Sequence, residues 1–93
     1  MEQKFIAAWA KTREEAAKLG VRMRPVEAGK AMAQAHRILS GNRDSDGFGM
    51  LAQLGRLELS LEALAVSKAY TALFSDDEVN NALLRLLDAG YHF

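Results

Sequence analysis

The fold is decided by residues 48–74, FGMLAQLGRLELSLEALAVSKAYTALF, the longest apolar stretch of the chain. Drawn as a helix at 100° per residue, this stretch carries two apolar stripes on nearly opposite sides. One stripe consists of Met50, Leu54, Leu57, Leu61 and Leu64, and the other of Leu59, Ala63, Val66, Tyr70 and Leu73. A helix that is apolar on both sides has to be covered on both sides, by its own chain or by a partner.

The length of this stretch restricts how it can fold. As one straight helix it would measure about 40 Å, which is longer than a compact domain of this size is wide. Because it has no proline and consists mostly of strong helix formers, we expect one continuous or bent helix. The alternative is a break at which Gly55 ends one helix as a left-handed residue and Ser60 caps the next, giving helices 49–54 and 61–74.

Apolar periodicity predicts two helices before this stretch. The first covers 2–19 and ends at Gly20; its core face is formed by Phe5, Trp9, Thr12, Ala16 and Leu19. The second covers 25–40, because Pro25 suits the first position of a helix, where its missing N–H costs nothing. Its core face is formed by Ala28, Ala31, Met32, Ala35, Ile38 and Leu39.

The clearest local signal marks a last helix after residue 75. Ser75 and Glu78 have the spacing of a capping box, and Gly90 suits the residue after the helix end. The predicted core face is Val79, Ala82, Leu83, Leu86 and Leu87. With almost no linker before it, this helix should form a C-terminal antiparallel hairpin with the third. The C-terminal residues Tyr91, His92 and Phe93 then either pack against the bundle or bind a partner. We predict one all-α domain, 1–93, built as a small bundle of four or five helices.

The composition excludes several classes of protein. Of 93 residues, 49% are hydrophobic and 26% charged, which is normal for a globular protein and too apolar for disorder. The absence of cysteine excludes disulfides, thiolate metal sites and thiol nucleophiles. The apolar run 5–10 is too short for a signal peptide or a membrane span, and charges interrupt 48–74 at Arg56, Glu58, Glu62 and Lys68. We expect a soluble, cytoplasmic protein that does not contact membranes.

No motif in the chain predicts an enzyme or a cofactor. Phosphate loops, zinc-ligand spacings and nucleophile elbows are all missing. His36 lies at the edge of a helical stripe, where a structural histidine is more common than a metal ligand or an acid–base group. The loop 41–49, GNRDSDGFG, resembles the first half of an EF-hand calcium loop. Gln53 stands where that loop needs its bidentate Glu, so we predict no metal site and keep a calcium-responsive module only as a third hypothesis.

The surplus apolar stripe favours a protein-interaction function. We expect four helices in 93 residues to leave one side of the third uncovered, whereas a symmetry mate would cover it. We therefore predict an adaptor, regulator or inhibitor-type protein that forms a homodimer through the Met50–Leu64 stripe or binds another protein. The alternative is that the third helix is the buried centre of a monomer. The predicted interface residues are Leu54, Leu57, Leu61 and Leu64, with Trp9 as an aromatic anchor.

The charge distribution supports a second function class. Residues 1–49 hold nine Lys/Arg and six Asp/Glu, a net charge of +3, whereas residues 50–93 hold three and six, a net charge of −3. The basic half could bind nucleic acid through Lys11, Arg13, Lys18, Arg22 and Arg24. The zero net charge of the whole chain argues against a dedicated nucleic-acid binder and removes the repulsion that keeps copies apart.

Overall fold

The structure, a computed structural model, describes residues 2–27 and 29–91. Within these residues the chain is all-α, as predicted, and forms a compact bundle with a longest dimension of 29 Å. Its helices are α1 (Glu2–Lys18), α2 (Ala31–Ser40), α3 (Phe48–Gln53), α4 (Leu61–Ala65) and α5 (Asp76–Asp88), and 3₁₀ turns cover Leu57–Leu59 and Thr71–Leu73. Ala28, His92 and Phe93, which figure in the predictions above, lie outside the described residues.

The stretch 48–74 is broken, so the expectation of one continuous or bent helix is wrong. Gly55 has φ +69°, and its N–H bonds to the Ala52 carbonyl while the next N–H bonds to Leu51, which ends α3 as a Schellman motif. Ser60 begins α4, because its hydroxyl accepts the N–H of Ala63. Both break points are the predicted ones, but α4 ends at Ala65 and does not continue to residue 74.

The break explains how two opposite stripes are both covered. On one straight helix Leu57 and Leu59 would lie about 200° apart. In the 3₁₀ turn after Gly55 both are buried in one apolar cluster, while Leu61 is buried in the other of the two clusters of the core. The chain changes direction once at Gly55 and again at Ser60, and in this way it covers much of both stripes.

The second helix begins later than predicted, at Ala31, and Pro25 lies in an extended connector over 21–27. Side chains from elsewhere bind the backbone of this connector, so it has no need of helical hydrogen bonds. Asp46 accepts the N–H of Arg24 at 3.1 Å, and Gln34 both accepts the N–H of Glu27 and donates to the Pro25 carbonyl. The side chain of Arg13 binds the same connector from α1.

The last helix has the predicted capping box and ends at Asp88, and Gly90 takes the left-handed conformation just after the end, with φ +82°. A ten-residue connector, and not a tight turn, separates it from α4. The two helices nevertheless pack as an antiparallel pair: Glu62 at the start of α4 is bonded to Arg85, whereas Ala65 at its end and Ala82, one turn earlier in α5, belong to the same buried cluster.

The core consists of two apolar clusters. The first is centred on Phe5, whose ring makes edge contacts with Tyr70 at 5.4 Å and Phe74 at 5.2 Å. The second joins the end of α1 to α3, the 57–59 turn and α5, and its buried members are Ala16, Val21, Phe48, Leu51, Leu57, Leu59 and Leu86. Tyr91 packs against this second cluster. The connector 21–27 and α5 therefore pack against the same cluster as the broken stretch 48–74.

Candidate interaction surface

The residues predicted as a partner interface do not share a surface. Trp9, Leu57 and Leu61 are buried in the core of the chain itself, which corrects their assignment as interface residues. Leu64 is half-buried and packs against the first cluster. Leu54 alone among the five is largely exposed, at 46%. The Met50–Leu64 stripe is therefore not a continuous surface, because its middle belongs to the core.

Among the described residues, five large apolar side chains face solvent. One is Leu19, which is 41% exposed although the pattern predicts it on the core face of the first helix, and the other four form two pairs. Met50 and Leu54, one helical turn apart on and just after α3, are 49% and 46% exposed. Leu84 and Leu87, three residues apart on α5, are 58% and 52% exposed. The sequence pattern predicts both Leu86 and Leu87 on the buried face of α5; Leu86 is buried, but the prediction is wrong for Leu87. Residues at such spacings are neighbours on a helix surface, so each pair forms a small apolar patch.

The patch on α5 is flanked by carboxylates. Asp77 and Asp88 lie on the same side of the helix as Leu84, seven residues before it and four residues after it. Both are exposed and make no ion pair with the described residues. The basic residue of this helix, Arg85, points inward, with only 10% of its side chain exposed. We call Asp77, Leu84, Leu87 and Asp88 the α5 outer face; it is apolar in the middle and negative at its ends.

The five predicted nucleic-acid contacts are partly used within the chain. Lys18 pairs with Glu15 at 3.3 Å, and Arg24 pairs with Asp46 at 3.4 Å. Arg13 donates from Nε to the carbonyls of Met23 and Arg24, at 3.3 and 3.1 Å. The remaining two, Lys11 and Arg22, are exposed and form no ion pair within the described chain. The structure thus does not gather the five into one basic patch.

Two of these arginines line one groove. It has a volume of about 520 Å³, lies between the end of α1 and the connector, and is lined by Arg13, Ala17, Gly20, Val21, Arg22 and Met23. Its apolar floor is formed by Ala17, which is exposed, and Met23, which is half-buried, whereas Val21 is almost fully buried. Because the Nε of Arg13 is held by backbone carbonyls, its terminal nitrogens stay available for another acceptor. We call this the arginine groove.

A buried ion pair lies at the centre of the bundle and was not anticipated from the sequence. Glu62 is fully buried and accepts hydrogen bonds from the backbone N–H and the hydroxyl of Ser45 and from Nη1 of Arg85. Arg85 also donates from Nη2 to the carbonyls of Ile38, at 3.3 Å, and Gly41, at 2.6 Å. The pair thus joins α4, α5, the end of α2 and the loop after it. The signal in the sequence is position 85, three residues after Ala82 on the buried side of α5.

His36 makes a second polar contact between helices. Its Nδ1 lies 2.8 and 2.9 Å from the two carboxylate oxygens of Glu78, and its ring meets Phe74 edge-on at 5.3 Å. Burial by itself would raise the pKa of Glu78, but the backbone N–H of Ser75 and the His36 imidazole together outweigh it and hold that pKa below its ordinary value. The carboxylate that caps α5 thus also ties α2 to it.

The loop 41–49 does not form a metal site in this structure. Asp46 is bound to Arg24, Asp44 lies 4.0 Å from Arg85, and Ser45 between them faces Glu62. Across residues 2–27 and 29–91, no three His, Cys, Asp or Glu side chains are grouped so that they could hold a metal ion. In the same residues, no helix has the length and apolar character needed to cross a membrane.

Comparison with known proteins adds no relative. No protein-family model matches the chain, and neither the curated proteins nor the solved structures contain a significant match to it.

Proposed function

We propose that this chain is a non-enzymatic protein-interaction module, of the adaptor, regulator or inhibitor kind, that associates with a second copy of itself. The observation that carries the proposal is the pair of apolar patches, Met50 with Leu54 and Leu84 with Leu87, each side chain about half exposed. Clustered exposed apolar residues are a common mark of interaction sites. The zero net charge lowers the electrostatic cost of bringing two copies together.

The buried polar groups support a structural role more than a catalytic one. Glu62 and Arg85 bind each other and the backbone. Glu78 binds His36 across α2 and α5 and also accepts the backbone N–H of Ser75. Among the described residues, no buried side-chain nitrogen or oxygen lacks a hydrogen-bond partner. These groups are committed to holding helices together, so the exposed patches are the better candidates for function.

The expected strength of association follows from the exposed area. Burying the exposed half of one such side chain is worth about 1 kcal/mol. Association costs roughly 4 kcal/mol or more in lost freedom of motion, so one patch of two residues is insufficient by itself. We therefore expect a weak, concentration-dependent dimer in which charged groups also contribute.

Light scattering over a dilution series tests this proposal. The monomer mass is 10.2 kDa, so a dimer shows twice that value at high protein concentration and returns to the monomer value on dilution. Leu54→Gln and Leu84→Gln, made separately, report which patch is used, because both side chains are exposed and neither change should unfold the chain. A mass of 10.2 kDa at every concentration up to the millimolar range would overturn the proposal.

A further inference from the structure

We propose that the α5 outer face of one copy binds in the arginine groove of a second copy. This inference rests on the proposed self-association and names the two surfaces that meet. One surface presents two leucines flanked by carboxylates, and the other presents an apolar floor flanked by two guanidinium groups. Both surfaces belong to every copy, so the contact can form twice in a symmetric pair.

The α5 outer face is a poor partner for itself. If two copies of it packed together, Leu84 and Leu87 would be buried, but Asp77 and Asp88 of one copy would lie against those of the other. The face has no cation to compensate them, because Arg85 points inward to Glu62. Like charges brought together across an interface cost several kcal/mol in unfavourable cases. The charges of this face therefore select a basic surface as its partner.

The arginine groove has the complementary chemistry. Arg22 is exposed and makes no ion pair with the described residues, and Arg13 is held by its Nε so that its terminal nitrogens stay free to bind a carboxylate. The floor offers the exposed Ala17 and the half-buried Met23 to a leucine side chain. A planar guanidinium can bind a carboxylate through two parallel hydrogen bonds, which makes arginine a better partner than lysine for this purpose.

The topology of the contact decides what assembles. A contact between two different surfaces closes into a dimer only if both copies exchange it at once; otherwise it continues as an open chain. The light-scattering mass distinguishes the two results. The reciprocal dimer gives a plateau at twice 10.2 kDa, and an open chain gives a mass that keeps rising. A rising mass supports contact between unlike surfaces directly, whereas a plateau is also expected from contact between like surfaces, which charge reversal distinguishes.

Charge reversal on each surface gives a decisive test. Arg22→Glu and Asp88→Arg each place like charges across the proposed contact, and we expect each variant to weaken self-association at least tenfold. The second change puts a cation at a helix C-terminus, where the helix dipole favours it, so loss of association could not come from a weaker α5. Lys30→Glu is the matched control for Arg22→Glu, because it makes the same change of charge on an exposed residue outside the groove, and it should have no effect.

Mixing the two variants completes the experiment. In a mixed pair, one contact keeps Asp88 against Arg22 and the other places the new arginine against the new glutamate, so association should return to within about threefold of the wild type. Circular dichroism checks that each variant is folded.

Three outcomes would overturn this inference. If Leu54→Gln dissociates the dimer while both charge reversals leave it intact, the chain self-associates through another surface. If the wild type is a monomer throughout, the proposed function fails and this inference with it. If Arg22→Glu abolishes retention on a nucleic-acid column without changing the mass, the groove serves nucleic acid and the inference is overturned.

Discussion

The stretch 48–65 and helix α5 pack in the same bundle, yet they are specified in different ways. The bounds of α5 follow from neighbouring residues, since Ser75 and Glu78 bind each other's backbone and Gly90 takes the left-handed conformation after the end. In 48–65, Gly55 and Ser60 permit a break but do not require one, because a helix tolerates glycine at about 1 kcal/mol. The break is decided by burial of Leu57 and Leu59, each worth about 1.5–3 kcal/mol. Local signals thus place the ends of α5, whereas packing places those of α3 and α4.

The largest test concerns the ion pair that joins these two regions. Arg85→Ala leaves the fully buried carboxylate of Glu62 without its cation and frees the carbonyls at the end of α2. Removing one partner of a buried pair typically costs about 3–5 kcal/mol, so we expect that loss in the free energy of unfolding measured by urea denaturation. Arg56→Ala breaks the exposed pair with Glu58 and should cost less than about 1 kcal/mol. Equal effects of the two changes would mean that Glu62 and Arg85 do not form a buried pair.

A second test compares two leucines of the same predicted stripe. Leu57→Ala should lower the free energy of unfolding by about 2–4 kcal/mol, because the side chain is buried in the second cluster. Leu54→Ala should lower it by about 1 kcal/mol or less, because only half of that side chain is buried. Urea denaturation at a concentration where the protein is monomeric measures both. On a continuous helix with one exposed stripe, the two leucines would instead behave alike.

These leucines also show how far sequence reasoning reaches. The residues of each helical face repeat at helical spacing, so the all-α class and the extent of α1 could be predicted. The capping box of α5 could be predicted from the spacing of Ser75 and Glu78 alone. Whether Leu57 is buried depends on the direction that the chain takes after Gly55, which is set by contacts with residues distant in sequence. The same limit applies to Arg85, whose partners Glu62 and Ile38 lie 23 and 47 residues away. Spacing predicts that Arg85 is on the buried side, but not what neutralises it.

A third test uses two glycines around α3. Gly55 has φ +69°, a conformation that disfavours a Cβ, so Gly55→Ala should cost about 1 kcal/mol. Gly49 lies within α3 with negative φ and open space around it, so Gly49→Ala should stabilise the protein by about 0.5–1 kcal/mol. Thermal unfolding of the two variants shows opposite shifts in Tm. Shifts of the same sign would contradict the helix end at Gly55.

The smallest effect is expected from acid, and it concerns the local specification of α5. The pKa of Glu78 is lower in the folded chain than its ordinary value, so the unfolded chain takes up this proton first as the pH falls. The stabilising contribution of Glu78 is therefore complete above its unfolded pKa of about 4.3, and it is lost as the pH falls from there through the folded value.

Glu58, whose pKa the guanidinium of Arg56 also lowers, contributes in the same direction, so the effect of Glu78 has to be isolated by comparing a variant with the wild type. Glu78→Gln should therefore flatten the dependence of the free energy of unfolding on pH below about 5, measured by urea denaturation over a series of pH values. A dependence as steep as that of the wild type would mean that the acid response does not arise from the contacts of Glu78 with Ser75 and His36.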